Sequence, residues 1–191
     1  MFGIDLSKEL INKAKKAVKK RNLDIIFQTA DALNLPFDDK IFQRVSCNYA
    51  IYHFPNIPRA LEEMFRVMDK NNAKLILTGP SKNNNLELYN FHKKAGGQIK
   101  VRMGRDIYEE SVMSYLNERK MQYKHTILTN NVSFPSTLAF LDYYQKTKLL
   151  LDNIKVEEKD SFLKNLYQNF KLKKNICPIL TKQIGVFEIW N

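Results

Sequence analysis

Acidic and amide side chains close three apolar runs in the first third of the chain. Asp5, Asp31 and the pair Asn48 and Tyr49 each stand at such a point. A carboxylate where a strand gives way to a helix, as at Asp5, can accept two hydrogen bonds from the hydroxyls of a ribose. The alternative for Asp5 is a turn or cap role, and for Asp31 an Asx turn leading into Leu33. The pattern therefore indicates either a ligand site or ordinary turn chemistry.

Two side chains that can take part in proton transfer follow shortly after Tyr49. His53 could act as a general base toward a hydroxyl or an amine, and Tyr52 stands beside it. The alternative is that His53 caps or packs against Phe54 and Pro55. Tyr52 and His53 are therefore the candidate catalytic residues.

A parallel α/β sheet would bring these side chains to one edge, because parallel strands present their carboxyl ends together. Apolar runs alternate with amphipathic segments in the order that such a sheet requires. Ser7 is a suitable cap for the first helix, and Asn56 and Pro58 suit the start of the second. The predicted elements here are strands at 1–5, 25–29, 42–49 and 73–78 and helices at 8–22 and 58–68.

Five short motifs in this region occur in the order found in one enzyme family. They are Gly3-Ile4-Asp5-Leu6-Ser7, Asp31-Ala32, Leu35-Pro36-Phe37, Val45–Tyr49 with His53-Phe54, and Arg66-Val67-Met68 before Leu75–Thr78. In this arrangement the chain resembles the class I S-adenosylmethionine-dependent methyltransferases. The resemblance covers roughly residues 1–80 well and the remainder in outline.

The resemblance implies a fold and a cofactor. The expected fold is a Rossmann-like methyltransferase sheet, mostly parallel with an antiparallel edge at the carboxyl terminus, and the expected cofactor is S-adenosylmethionine. In the family, the residue matching Asp5 binds the ribose and the residue matching Asp31 accepts from the adenine amino group. The backbone of Ala32 would meet a ring nitrogen, and Asn48 and Tyr49 would face the methionine end. Leu6, after Asp5, completes the implied cofactor-binding set.

Part of the family pattern is not found in this sequence. The first strand and the glycine-rich loop of the family should precede residue 1, and no two of the six glycines form a Gly-x-Gly motif. We therefore expect an N-terminally incomplete, truncated sheet. Three explanations are open: a start internal to a longer gene product, a strand supplied by a second copy through swapping, or a remnant that no longer methylates.

The second part of the chain has the pattern of a helical segment followed by strands. The predicted elements are helices at 86–95, 107–120, 134–151 and 160–170 and strands at 121–131 and 184–190. The resemblance implies that the last two strands form an antiparallel pair and that the helices cover the acceptor. At 191 residues we expect a single domain, with a cofactor-side core at 1–80 and an acceptor-side part at 81–191.

Composition limits the class of protein. No apolar run is long enough for a membrane helix, and no signal peptide is evident. Cys47 and Cys177 lie in different settings, which favours a reduced protein in the cytoplasm. No histidine or cysteine spacing is that of a metal site. The net charge of +11 suggests a nucleic acid, but scattered lysines explain it better, so neither nucleic acid nor membrane is an expected partner.

The sequence thus predicts an S-adenosylmethionine-dependent methyltransferase with an unidentified, small-molecule acceptor. A homodimer or strand swap that completes the sheet is a possible assembly. The alternative is a non-catalytic or degenerate protein on the same scaffold, with a binding or structural role. A third hypothesis, a basic RNA-binding module, is based on charge alone.

Overall fold

The computed structural model describes residues 1–98, 104–147, 154–171 and 179–190. The strands in these ranges are β1 (Phe2–Asp5), β2 (Ile26–Thr29), β3 (Arg44–Asn48), β4 (Lys74–Pro80), β5 (Gln122–Ser133) and β6 (Ile179–Trp190). The helices are α1 (Lys8–Lys20), α2 (Ile57–Val67), α3 (Leu86–Lys94), α4 (Gly104–Glu118), α5 (Thr137–Gln145) and α6 (Lys159–Lys171). The elements alternate in the α/β order that the sequence predicts.

These residues form two compact units. The first contains Met1–Gly79, Glu110–His125 and Val186–Asn191, and the second contains Pro80–Glu109 and Thr126–Gly185. The expectation that the whole chain is one domain stays a prediction. All of the candidate site residues belong to the first unit.

The first unit opens with a βαβ arrangement. β1 and β2 pair in parallel, with Phe2 opposite Ile26 and Asp5 opposite Thr29. Between them α1 begins after Ser7, whose hydroxyl accepts a hydrogen bond from the Leu10 amide at 3.3 Å. This confirms the predicted cap and both predicted strands.

The remaining strands form a four-stranded sheet in the order β3-β4-β6-β5. β3 and β4 pair in parallel from Arg44 opposite Lys74 to Asn48 opposite Thr78. Trp190 donates to Gln122, and three residues earlier Phe187 stacks on His125, so β6 and β5 run in opposite directions. The expected Rossmann-like sheet with an antiparallel carboxyl-terminal edge is confirmed.

Within the first unit, the rings of Phe2, Phe37 and Phe42 form an aromatic cluster between β1 and β3. Phe2, in β1, lies 5.5 Å from the ring of Phe37 and 5.9 Å from that of Phe42, which precedes β3. Phe37 and Phe42 are 5.0 Å apart. Because this cluster joins the amino-terminal ends of β1 and β3, the polar residues at the opposite ends of these strands face away from it. In the described residues, β1 pairs with β2 alone and β3 with β4 alone.

Helix α2 follows the predicted pattern closely. The Asn56 side chain accepts from the Arg59 amide at 3.0 Å and caps the first turn, with Pro58 just inside it. Leu61 is fully buried, as are Leu75 and Leu77 of β4. The apolar stripe that predicted the helix is thus the face that forms the core of this unit.

The second unit has its own core, formed by α3, α5, α6 and the start of β6. Its buried members are Leu88, Phe140, Leu141, Tyr144, Ile154, Phe162, Leu166 and Leu180. Within it the Nδ1 atom of His92 lies 2.5 Å from the Tyr144 hydroxyl. These residues form one contiguous hydrophobic cluster shared by the three helices and the strand.

Several predicted boundaries in this part are wrong. Helix α5 begins at Thr137 rather than at 134, because the Ser136 hydroxyl caps it by accepting from the Ala139 amide at 3.1 Å. It ends at Gln145, short of the predicted end, and residues 148–151 of that prediction lie outside the described ranges. Strand β6 begins at Ile179 rather than 184. Within the described ranges, no helix has both the length and the apolar character needed to cross a membrane.

Candidate active site

Strand pairing places Asp5 and Asp31 at one edge of the small sheet. Asp5 is the last residue of β1 and lies opposite Thr29, the last residue of β2. The Ala30 amide donates to the Asp5 carbonyl at 3.1 Å, and Asp31 is the next residue along the chain. Asp5 and Asp31 therefore lie at the same edge of the sheet because two parallel strands end together.

The Asp5 carboxylate combines a turn role with a free acceptor. Its Oδ1 accepts from the Ser7 amide at 2.7 Å, which is the turn interaction that the sequence left open. No described residue donates to its Oδ2, and the side chain is half-buried. Leu6, which follows it, is 74% exposed. One carboxylate oxygen thus supports the turn, while the other has no donor among the described residues.

Asp31 shows the same division. Its Oδ1 accepts from the Leu33 amide at 2.9 Å, so the predicted Asx turn is present. Its carbonyl accepts from the Asn34 amide at 3.1 Å, and Ala32 between them is half-buried. Because the Asp31 side chain is exposed, its second oxygen can still meet a ligand.

The end of β3 carries the second group of polar residues. The Asn48 side-chain oxygen accepts from the Thr78 hydroxyl at 3.1 Å, and the Tyr49 amide donates to the Thr78 carbonyl at 2.8 Å. Tyr49 has a φ of 53°, in the left-handed region that a bulky residue rarely adopts. This turn leaves the Tyr49 side chain 47% exposed and directs the chain into a short 3₁₀ helix at Ile51–His53. Local backbone strain at such a point is commonly functional.

Tyr49, Tyr52 and His53 form an aromatic group at this edge. The ring centroids of Tyr49 and Tyr52 are 6.4 Å apart, and those of Tyr52 and His53 are 4.2 Å apart. Burial raises the pKa of both tyrosines, and the neighbouring Tyr49 further raises the pKa of Tyr52. Both phenols therefore stay protonated near neutral pH and can donate hydrogen bonds. His53 is exposed.

A charged network behind Asp31 went unnoticed in the sequence. Glu63 of α2 is only 3% exposed, and Arg59 and Arg66 bind its two oxygens. The Leu35 amide also donates to Glu63 at 2.8 Å. The spacing of Arg59, Glu63 and Arg66 on one helix could have predicted the ion pairs among them, but not their contacts with the loop that contains Leu35.

Two other types of chemistry find no support at this site. In the described part of the chain, no group of three or more acidic, histidine or cysteine side chains could hold a metal ion. Cys47, in β3 next to Asn48, is 7% exposed and not bonded to another cysteine. Cys47 is thus a buried residue of the core.

Comparison with known proteins identifies the amino-terminal part. Residues 1–76 match a family model described as a methyltransferase domain. A demethylmenaquinone methyltransferase of Porphyromonas gingivalis is 39% identical over 77 residues, which make up 39% of this chain and 31% of that protein. The expected resemblance to class I S-adenosylmethionine-dependent methyltransferases is confirmed.

Other relatives of the methyltransferase domain extend this result. A 2-phytyl-1,4-naphtoquinone methyltransferase of Nostoc punctiforme is 34% identical over 103 residues, or 53% of this chain and 40% of the relative. The chain thus spans less than half the length of these two relatives. The structure of the YcgJ protein of Bacillus subtilis aligns with the whole of this chain, and the alignment includes 82% of that protein. The TM-score is 0.62 and the sequence identity is 15%. That likeness shows the fold.

We expect the Cys47 thiol to be unreactive in the folded methyltransferase domain. Burial raises its pKa to about 11, so about one thiol in a thousand is ionised at pH 8. A Cys177→Ser variant, in which Cys47 is the remaining cysteine, should react with dithionitrobenzoate only after unfolding in urea. Rapid labelling without urea would show that Cys47 is accessible and would make it a candidate nucleophile.

Proposed function

We propose that this chain binds S-adenosylmethionine and transfers its methyl group to a small aromatic acceptor. The observation that supports this most is the placement of Asp5, Asp31 and the Asn48–Tyr49 pair at the ends of β1, β2 and β3 in a methyltransferase fold. Ligands of open α/β sheets bind outside the carboxyl ends of the strands. The match to a methyltransferase domain and the polar residues at this sheet edge both support the proposal.

The adenosine half of the cofactor suits the residues present. Asp5 has an oxygen without a described donor, as a ribose diol requires, and Asp31 has an exposed oxygen that can accept from an amino group. Leu6 and Ala32 would contact the base and ribose through apolar surface and a backbone amide. Asn48 and Tyr49 would meet the methionine end.

The bound cofactor would supply a methyl group on a positively charged sulfur, which is already activated for transfer. The acceptor's electron pair forms the bond to the methyl carbon as the carbon–sulfur bond breaks, and that bonding pair stays on sulfur. Little covalent chemistry is then left to the protein, which must orient the two reactants and exclude water. Tyr49, whose side chain is exposed beside the site, is suited to that orientation.

We propose the reduced form of a quinone as the acceptor class. The relatives of this chain include proteins named for demethylmenaquinone and 2-phytyl-1,4-naphtoquinone. A quinone is an electrophile, whereas its hydroquinone is a nucleophile once a hydroxyl proton is removed. The aromatic group of Tyr49, Tyr52 and His53 offers rings against which a flat acceptor can stack.

His53 is the proposed general base. Its exposed imidazole would take the proton of the acceptor hydroxyl as the ring becomes nucleophilic. Tyr52, whose ring lies beside His53, would donate a hydrogen bond to the acceptor and fix its orientation. These roles need no metal ion.

We also propose that a second copy completes the sheet. β1 and β3 each have one described neighbour, and the exposed Phe2 stands at the junction of the two sheets. A strand edge without a partner is a template for pairing with another chain. A cytoplasmic location is proposed as well, on the basis that Cys47 is a free thiol.

Cofactor binding should depend on Asp5. Calorimetric titration of the chain with S-adenosylhomocysteine should show binding that Asp5→Asn weakens at least about tenfold, because a charged hydrogen-bond acceptor is lost. The amide oxygen of Asn can still accept from Ser7, so the turn is kept. Asp24→Asn, at an exposed aspartate before β2, is the matched control and should bind normally. Absence of binding by the folded chain would instead support a non-catalytic scaffold.

Methyl transfer should depend on His53. With a reduced naphthoquinone as acceptor, His53→Ala should lower kcat at least about 100-fold, because the proton acceptor is lost. Added imidazole should restore part of the rate, whereas affinity for S-adenosylhomocysteine should not change. An unchanged kcat in this variant would exclude His53 as the base.

The chain should form dimers in solution if a second copy pairs with the sheet edge. Sedimentation over a range of concentrations should show a reversible dimer, and Phe2→Lys should weaken it by placing a charge at the junction. Leu23→Lys, at a similarly exposed residue before β2, is the control. A monomer at the highest soluble concentration would contradict this assembly.

A further inference from the structure

The part of the loop just after Asp31 is held by side chains of α2, whereas residues 40–42 are held by backbone hydrogen bonds to Arg66 and Val67. Between β2 and β3 the chain runs through residues 30–43 with two isolated bridges, at Asp31–Asn34 and Phe42–Met68. Backbone groups in such a segment need other partners, because unpaired polar groups are costly where they are buried. Helix α2 supplies these partners to the residues just after Asp31.

Arg66 is the centre of the interaction. Its guanidinium donates to the Leu35 carbonyl at 2.9 Å, to the Phe37 carbonyl at 2.8 Å and to the Asp39 carboxylate at 2.7 Å. Its remaining hydrogen bonds go to both oxygens of Glu63, at 3.0 and 2.8 Å. The planar guanidinium thus binds helix and loop at once, a geometry that a lysine ammonium does not reproduce.

Glu63 ties the same loop from the other side. Its Oε2 accepts from the Leu35 amide at 2.8 Å, so both backbone groups of Leu35 are held by the Glu63–Arg66 pair. Hydrogen bonding by Arg66 is the largest cause that lowers the pKa of Glu63. The carboxylate therefore stays charged although it is buried.

Arg59 connects this pair to Asp31. Its Nε donates to the Leu33 carbonyl at 3.2 Å, and its Nη2 donates to Glu63 at 3.2 Å. The Leu33 amide in turn donates to Asp31 at 2.9 Å. One continuous set of hydrogen bonds thus runs from the buried Glu63 to the carboxylate at the site.

We propose that Glu63 and Arg66 are positioning residues that fix the Asp31 carboxylate for recognition of the adenine amino group. This inference rests on the proposed function for the identity of the ligand. It goes beyond that function because it assigns the base specificity of the site to two residues of α2, the buried Glu63 and the half-buried Arg66, that do not touch the ligand. We call this pair, together with Arg59, the loop clamp.

The first test needs no ligand. Hydrogen–deuterium exchange should be at least about tenfold faster over residues 31–40 in Glu63→Gln than in the unchanged chain, because the neutral amide holds Leu35 and Arg66 less well. The β1 and α1 segments should exchange as before. Glu9→Gln, at an exposed glutamate of α1 that pairs with Lys13, is the control and should exchange over residues 31–40 as the unchanged chain does. Equal exchange in both variants would overturn the clamp. Arg66→Lys tests the same prediction should Glu63→Gln fail to fold.

The second test measures base specificity. S-inosyl-homocysteine carries a carbonyl where S-adenosylhomocysteine carries the amino group, so the Asp31 carboxylate should reject it. Binding of both should be measured by calorimetry, and their affinity ratio should fall at least about fivefold in Glu63→Gln, as in Asp31→Asn. The double variant should lose no more than either single one. A variant that merely destabilises the protein would weaken both ligands equally and leave the ratio unchanged, which would overturn the proposal.

The two tests separate this inference from the proposed function. Normal cofactor binding with an unchanged ratio in Glu63→Gln would overturn the positioning role of Glu63 and Arg66 and leave the proposed function in place. No binding of either ligand by the unchanged chain, with the exchange result as expected, would overturn the proposed function and the adenine role. The clamp would then be supported as a holder of the loop alone.

Discussion

The parallel pairing of strands is the constraint on which the site depends. β1 pairs with β2 and β3 with β4 in parallel, so the two strands of each pair end at the same edge. The chain must turn there, where the hydrogen bonds between strands no longer satisfy its backbone groups. Asp5, Asp31 and Asn48 stabilise those turns with their side chains. A carboxylate has more acceptor positions than a turn uses. The turn role and the ligand role, which the sequence presented as alternatives, are therefore compatible.

The same topology explains why apolar side chains are exposed near the site. β1 and β3 belong to separate sheets in the described residues, and the rings of Phe2, Phe37 and Phe42 close only their amino-terminal ends. Toward the carboxyl ends, Leu6 and Tyr49 are exposed. Gly3 of β1 makes room for the Phe27 ring, since a Cβ there would lie 2.5 Å from it. Exposed apolar surface at a strand edge favours contact with a ligand or with another chain.

The sequence predicted the first unit well because its signals are local. Caps at Ser7 and Asn56 and the apolar stripe of α2 each act within a few residues, and the structure confirms them. The resemblance added the fold, which spacing alone did not establish. In the second unit the start of α5 was wrong because apolar residues continue the pattern back to Phe134, beyond the cap at Ser136.

The loop clamp escaped prediction for a different reason. A glutamate on a helix rich in charged residues is expected on the solvent side, and Glu62, the residue before Glu63, is indeed exposed. Glu63 is buried, however, and accepts a hydrogen bond from Leu35, which lies 28 residues away in a loop without regular structure. No periodic pattern marks such a contact. Only the folded loop shows that the carboxylate completes the backbone's hydrogen bonds.

Arginine and lysine residues contribute differently to the net charge of +11. Arg59 and Arg66 are balanced by acidic partners, which are Glu62, Glu63 and Asp39, so the clamp contributes little to the excess. The excess comes instead from lysines such as those of α1, where Lys13 pairs with Glu9 and the other lysines are exposed. Scattered lysines on a solvated helix keep a protein soluble and need no anionic partner. The charges that bear on the proposed site are those of the loop clamp, which balance one another and hold a backbone loop in place.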